Sequence, residues 1–202
     1  ENIMINNKIF NLGFSRTGTT SLATLGQKFG IRSIHDSKEI LGYFHSNSEI
    51  TSYDDWDKFE LYSGLLSPMW LDIVKNSYDC KFILTIRDVE TWKVSAERHF
   101  QGGWSVFRTF MFSEVGVPYN DSYIEVYNNY NKEVIDYFKD NDIPLLLIDF
   151  ENDINIIEKF CDFVNIDRID MEVPWTNKGH CYTDSDRWER LNKKVKKSEK
   201  KP

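Results

Sequence analysis

The chain has 202 residues, 41% of them apolar and 28% charged, with a net charge of −7. This is the size and balance of one globular domain with a core of its own. An acidic balance speaks against general nucleic-acid binding, and no apolar run approaches the roughly 20 residues of a membrane span, so neither nucleic acid nor stable membrane insertion is expected.

In chain order, Lys8–Leu12 is a short apolar run suited to a buried strand, followed by a Gly/Thr-rich loop and a helix over Ser21–Phe29. A second strand is expected at Ile31–Ile34 and a short helix at Ser37–Phe44. Phe59–Asn76 has helical periodicity, with Ser67-Pro68 bending or splitting it. Lys81–Ile86 is the clearest strand and leads into a helix at Glu90–His99. Tyr123–Lys139 carries an apolar stripe of Ile124, Tyr127, Val134, Ile135 and Phe138. A strand at Pro144–Ile148 and a helix at Asp153–Val164, capped by Asn152 or Asp153, complete the series. Alternating strands and helices predict a three-layer α/β/α fold with a mostly parallel sheet, and a ligand site at the carboxyl ends of its strands.

One domain is expected over residues 1–189. Gly102-Gly103 and Gly116-Val117-Pro118 mark loops, and the aromatic stretch Phe100–Tyr119 reads as a lid. Residues 190–202 hold seven cations and one acid, a net +6 that leaves −13 for the remainder, and read as a flexible basic tail. Cys80, Cys161 and Cys181 form no C-x-x-C pair, which disfavours a zinc site or disulfide framework and suits a cytoplasmic protein. The first residues read as truncated, so a removed leader stays open.

The loop carries the first chemical signal. Gly13 and Gly18 have the spacing of G-x-x-x-x-G-K-[ST], and Thr20 fills the hydroxyl position, but Thr19 stands where the lysine belongs. The nearby cation is Arg16, inside the loop. Backbone amides at the start of the following helix would face an anion. A second signal follows the strand Lys81–Ile86: Arg87-Asp88 at its carboxyl end, then Trp92 and Ser95 about two turns into the next helix. An arginine fork with a hydroxyl can bind a second phosphate; alternatively Arg87 pairs with Asp88 or another acid and Ser95 is merely exposed.

Together these segments resemble the sulfotransferase family. Gly13-Phe14-Ser15-Arg16-Thr17-Gly18-Thr19-Thr20-Ser21-Leu22 looks like its 5′-phosphosulfate loop, in the branch with R-T-G-T rather than K-S-G-T. Thr85-Ile86-Arg87-Asp88, Trp92 and Ser95 look like its 3′-phosphate segment. Ile34-His35-Asp36, Tyr127-Asn128-Asn129-Tyr130-Asn131 and Val173-Pro174-Trp175-Thr176-Asn177-Lys178 resemble further segments of that branch, so the likeness runs over most of residues 8–180. It implies a P-loop NTPase-like fold and the donor 3′-phosphoadenosine 5′-phosphosulfate (PAPS), with adenosine 3′,5′-bisphosphate (PAP) as product. It also accounts for the missing lysine, since sulfuryl transfer needs no metal bridging β- and γ-phosphates.

On that resemblance Ser15, Arg16, Thr17, Gly18, Thr19, Thr20 and Ser21 hold the 5′-phosphate, with Arg16 as the cation near the bridging oxygen. Arg87 and Ser95 hold the 3′-phosphate, and Asn177, Lys178 and Gly179 close over the nucleotide. The acceptor hydroxyl or amine, on a small molecule or glycan, needs a base. Aligning Ser52-Tyr53-Asp54-Asp55-Trp56-Asp57 with a T-D-W-P-like segment makes Asp55 that base, with Asp54 and Asp57 as neighbours and His35 as the other candidate. Trp92, Trp104 and Trp175 could stack on a ring or form core and pocket walls. Two rival functions stay in view. A P-loop kinase could hold Mg²⁺ on Asp149 after the apolar run Leu145–Ile148. A non-catalytic module would bind PAP without turnover.

Overall fold

The structure is a computed structural model and describes residues 5–36, 58–64, 66–100 and 123–175. The described elements are β1 (Ile5–Asn6), β2 (Ile9–Asn11), α1 (Thr19–Lys28), β3 (Ser33–His35), β4 (Leu61–Ser63), a 3-10 turn (Ser67–Met69), α2 (Trp70–Lys75), β5 (Ser77–Tyr78), β6 (Lys81–Ile86), α3 (Val89–Phe100), α4 (Tyr123–Asp140), β7 (Leu145–Asp149) and α5 (Ile156–Val164). The short helix expected at Ser37–Phe44, the segment of Asp54, Asp55 and Asp57, the stretch 101–120 with Trp104, and residues 176–202 with Asn177, Lys178, Gly179 and the basic tail lie outside the described residues.

Five strands form one sheet in the order β3-β4-β2-β6-β7, and β1 pairs separately with β5. Every pairing in the larger sheet is parallel. Phe10 of β2 sits in register with Tyr62 of β4 and Phe82 of β6, and the three rings stack across the strands at 5.8 and 6.1 Å. Alternation along each strand divides the core between the two sheet faces. Phe10, Leu12, Tyr62, Phe82 and Leu84 join Met69, Trp70 and Ile73 with Trp92, Val126, Tyr127, Tyr130, Val134 and Phe138, placing α2, α3 and α4 on one face. Leu61, Ile83 and Ile148 join Leu22, Leu25, Ile156 and Phe160, placing α1 and α5 on the other. This is the three-layer α/β/α fold with a parallel sheet that the alternation predicts. Strand β2, which leads into the Gly/Thr-rich loop, is central, and both its neighbours come later in the chain.

Three expectations are corrected. Phe59–Asn76 is not one helix: it holds β4, a 3-10 turn and the six-residue α2. Gly64, at φ +85°, ends the strand, and Pro68 opens the 3-10 turn rather than kinking a helix. α1 begins at Thr19, two residues before the expected start, because Gly18 in the left-handed region (φ 101°) already serves as its N-cap. α5 begins at Ile156 behind Asn155. Asp153 instead accepts the Asp149 amide at 2.9 Å and the Lys159 ammonium at 2.6 Å.

Candidate functional site

The loop hangs on Asn11, a fully buried polar residue in the central strand. Its Oδ1 accepts the Gly13 amide (3.0 Å), the Thr85 amide (3.2 Å) and the Thr85 hydroxyl (3.2 Å). Its Nδ2 donates to Ser63 Oγ at 2.8 Å, and that hydroxyl donates to the Thr19 carbonyl at 2.7 Å. One amide side chain thus ties β4, β6, the loop and the first residue of α1 together, with every polar group paired as burial demands. Thr17 donates its hydroxyl to the Phe14 carbonyl (2.7 Å) and lies 2.7 Å from the Thr85 hydroxyl, which therefore donates to Thr17 or to Asn11. There is no room for a larger residue at Gly13, where an added Cβ would stand 1.9 Å from Thr85 Oγ1 and 2.8 Å from its carbonyl oxygen.

α1 opens behind Gly18 with no side-chain cap and no acidic residue in its first turn. Its first amides have no intrahelical acceptor and its dipole favours an anion there. Arg16, at φ 73°, turns in the left-handed region that disfavours non-glycine residues. Its Nε donates to Ser95 Oγ at 3.2 Å.

The second constellation meets the first directly. Arg87, one residue past β6, donates from Nη1 to the Arg16 carbonyl at 3.3 Å. Trp92 donates from Nε1 to the Ser15 carbonyl at 2.8 Å. The Arg87 backbone is clamped by Tyr127, whose hydroxyl accepts the Arg87 amide and donates to the Arg87 carbonyl, both at 2.8 Å. Burial pushes the Tyr127 phenol upward, which keeps the proton this double role needs. Tyr130, one turn on, donates to the Leu12 carbonyl at 2.5 Å. Asp88 does not pair with Arg87; it caps α3, accepting the Glu90 and Thr91 amides at 3.1 and 3.0 Å. Arg87 pairs instead with Glu151, beyond the end of β7.

His35 ends β3 beside the loop. Its Nδ1 lies 3.2 Å from Asp36 Oδ2, and its Nε2 lies 2.9 Å from the Thr19 hydroxyl and 3.2 Å from the Thr20 hydroxyl. The carboxylate contact assigns the ring proton to Nδ1 and leaves Nε2 to accept from the two hydroxyls. Burial lowers the His35 pKa, Asp36 opposes that shift, and the Arg16 charge adds to it. The ring is therefore neutral at neutral pH. Gly64 is needed here too, since a Cβ on it would stand 2.3 Å from Asp36 Oδ1 and 2.9 Å from His35 Nε2.

Residues 8–120 match the sulfotransferase domain family. The chain belongs to the sulfotransferase family. The matched span holds the loop, His35, Arg87 and Ser95. No curated protein matches the chain.

In this sulfotransferase the structure brings Ser15, Arg16, Thr17, Gly18, Thr19, Thr20, Ser21, His35, Arg87 and Ser95 to the carboxyl edge of β2, β3 and β6. Trp92 is a wall rather than a stacking surface: it is 1% exposed, stacked on Tyr127 at 4.3 Å and edge-on to Phe14 at 5.7 Å. Asp149 spends its carboxylate on its own turn, accepting the Glu151 amide (2.9 Å), the Asn152 amide (3.3 Å) and the Asn152 side chain (2.8 Å). Sequence reasoning missed Asn11, Ser63 and Glu151, and placed Thr85 in a motif without foreseeing its bond to Asn11. An asparagine between Phe10 and Leu12 in a buried strand was the available signal, because a buried amide must have partners. Ser63 was hidden by the helical reading of its segment. Glu151 carries no local pattern.

Proposed function

We propose that this sulfotransferase moves a sulfuryl group in line from PAPS to a hydroxyl or amine of a small-molecule or glycan acceptor, without a metal ion. The observation that carries the reading is the junction of the two constellations: Arg16 on Ser95, Arg87 on the Arg16 carbonyl and Trp92 on the Ser15 carbonyl. Residues expected at the two phosphates of one nucleotide are thereby linked side by side.

The residues suit such a donor. The first turn of α1 presents amides with no competing carboxylate of its own. Arg87 Nε is buried and has no hydrogen-bond partner among the described residues, a donor still wanting an acceptor. The loop amides with Ser15, Thr17, Gly18, Thr19, Thr20 and Ser21 would hold the 5′-phosphate, and Arg87 with Ser95 the 3′-phosphate. Arg16, whose charge reaches His35 electrostatically while its Nε holds Ser95, would offset negative charge developing on the leaving group. Asn177, Lys178 and Gly179 would close over the nucleotide. Bound PAPS supplies an activated sulfuryl group on a phosphate leaving group. The base is Asp55 by its place in the sequence or His35 by its neutral imidazole at this edge.

Arg87→Ala tests the assignment of the 3′-phosphate. It should weaken PAP about 100-fold, as loss of a charge-assisted phosphate contact does, and adenosine 5′-phosphosulfate (APS), which has a 3′-hydroxyl, far less. Equal losses, read by calorimetry, would contradict the assignment.

A further inference from the structure

The Arg87 guanidinium already has an anionic partner inside the protein. Glu151 Oε1 accepts from Arg87 Nη2, and Glu151 Oε2 accepts from the Thr91 hydroxyl at 2.8 Å. Both carboxylate oxygens are therefore engaged, one by the residue after β6 and the other by the first turn of α3. The turn after β7 aims the side chain: Asp149 Oδ1 accepts the Glu151 amide at 2.9 Å. Side-chain exposures of 24% for Arg87 and 25% for Glu151 leave the pair partly open to water and within reach of a ligand. An ion pair so placed is screened less than one on the open surface.

We propose that Glu151 is a specificity-determining residue that competes with the nucleotide's 3′-phosphate for Arg87. The proposal rests on the assignment of Arg87 to that phosphate. A carboxylate paired with the guanidinium cancels its charge. A 3′-phosphate arriving there either displaces Glu151 or sits against its negative charge, and both weaken binding. A 3′-hydroxyl carries no charge and meets neither penalty. Glu151 thus lowers the preference for 3′-phosphorylated over 3′-hydroxyl nucleotides, and it stands ready to re-pair with Arg87 as PAP leaves. It is a brake on discrimination and an aid to product release. Thr91 holds the brake in place from the helix side.

The test uses PAP and APS as probes, titrated calorimetrically into the wild-type chain, Glu151→Gln and Glu151→Ala. The readout is the ratio of PAP to APS affinity, which a general loss of structure would not raise. Removing the competing charge should raise that ratio about tenfold in both variants, the size expected when one charged contact no longer has to be broken. PAP dissociation measured by stopped flow should slow by a similar factor. A ratio unchanged or lowered in both variants would overturn the proposal and make Glu151 a support for Arg87. A wild-type chain that binds APS as tightly as PAP, with Arg87→Ala leaving that ratio unmoved, would instead overturn the 3′-phosphate assignment itself.

Discussion

His35 is the titrating residue most closely tied to the loop, and its environment fixes the sign of its effect. Its pKa in the folded chain lies below the ordinary value of 6.5 because burial disfavours the imidazolium, with Arg16 adding to the shift and Asp36 working against it. The unfolded chain therefore takes up the proton first as pH falls. The stability this group contributes is complete above about pH 6.5 and is lost as pH drops through the lower folded value. Protonation would also remove the Nε2 lone pair that accepts from Thr19 and Thr20. Melting temperature should thus fall more steeply between about pH 7 and pH 5 in the wild-type chain than in His35→Asn, whose side chain does not titrate. Parallel slopes would contradict this. At the same scale, the place of the Gly13–Gly18 loop between a strand and a helix could be read directly because glycine spacing carries its own geometry. Glu151 could not, because its meaning lies in a partner 64 positions away.

Among the elements, α1 and the loop before it are set against the end of β7. Gly18 adopts φ +101°, and a Cβ there would stand 2.5 Å from Cδ2 of Phe150, itself 6% exposed. Gly18→Ala should therefore strain both backbone and core, lowering stability by about 2–4 kcal/mol in a chemical denaturation experiment. A change under about 0.5 kcal/mol would mean that the Phe150 ring yields easily. The same scale explains why β4 was misread. Phe59, Tyr62, Leu66, Met69, Trp70, Ile73 and Val74 recur at nearly helical intervals, yet Tyr62, with Leu61 and Ser63 on either side, is held in a strand. Periodicity cannot separate a three-residue buried strand from the start of a helix. Parallel pairing with β2 on one side and β3 on the other decides the matter, and neither partner is local. Long elements such as α4, with many turns repeating one stripe, were legible within a residue or two.

For the whole molecule, strand alternation was enough to foresee a parallel sheet covered on both faces, but not the order β3-β4-β2-β6-β7. That order matters because it puts β2 and β6 side by side. The loop after β2 and Arg87 after β6 then share one edge, and Arg16, Ser95 and Arg87 become neighbours despite some 70–80 intervening residues. Among the described residues, no helix is long and apolar enough to cross a membrane. The ligand proposed for this edge is a nucleotide with phosphates at both the 5′ and 3′ positions. The most direct measurement is calorimetric titration with PAP and with ATP, each in the presence and absence of Mg²⁺. Micromolar PAP binding, corresponding to about −8 kcal/mol, that is indifferent to Mg²⁺ and much tighter than ATP binding is the predicted result. ATP binding that depends on Mg²⁺ and equals or exceeds PAP binding would contradict the account and make the fold a phosphotransferase.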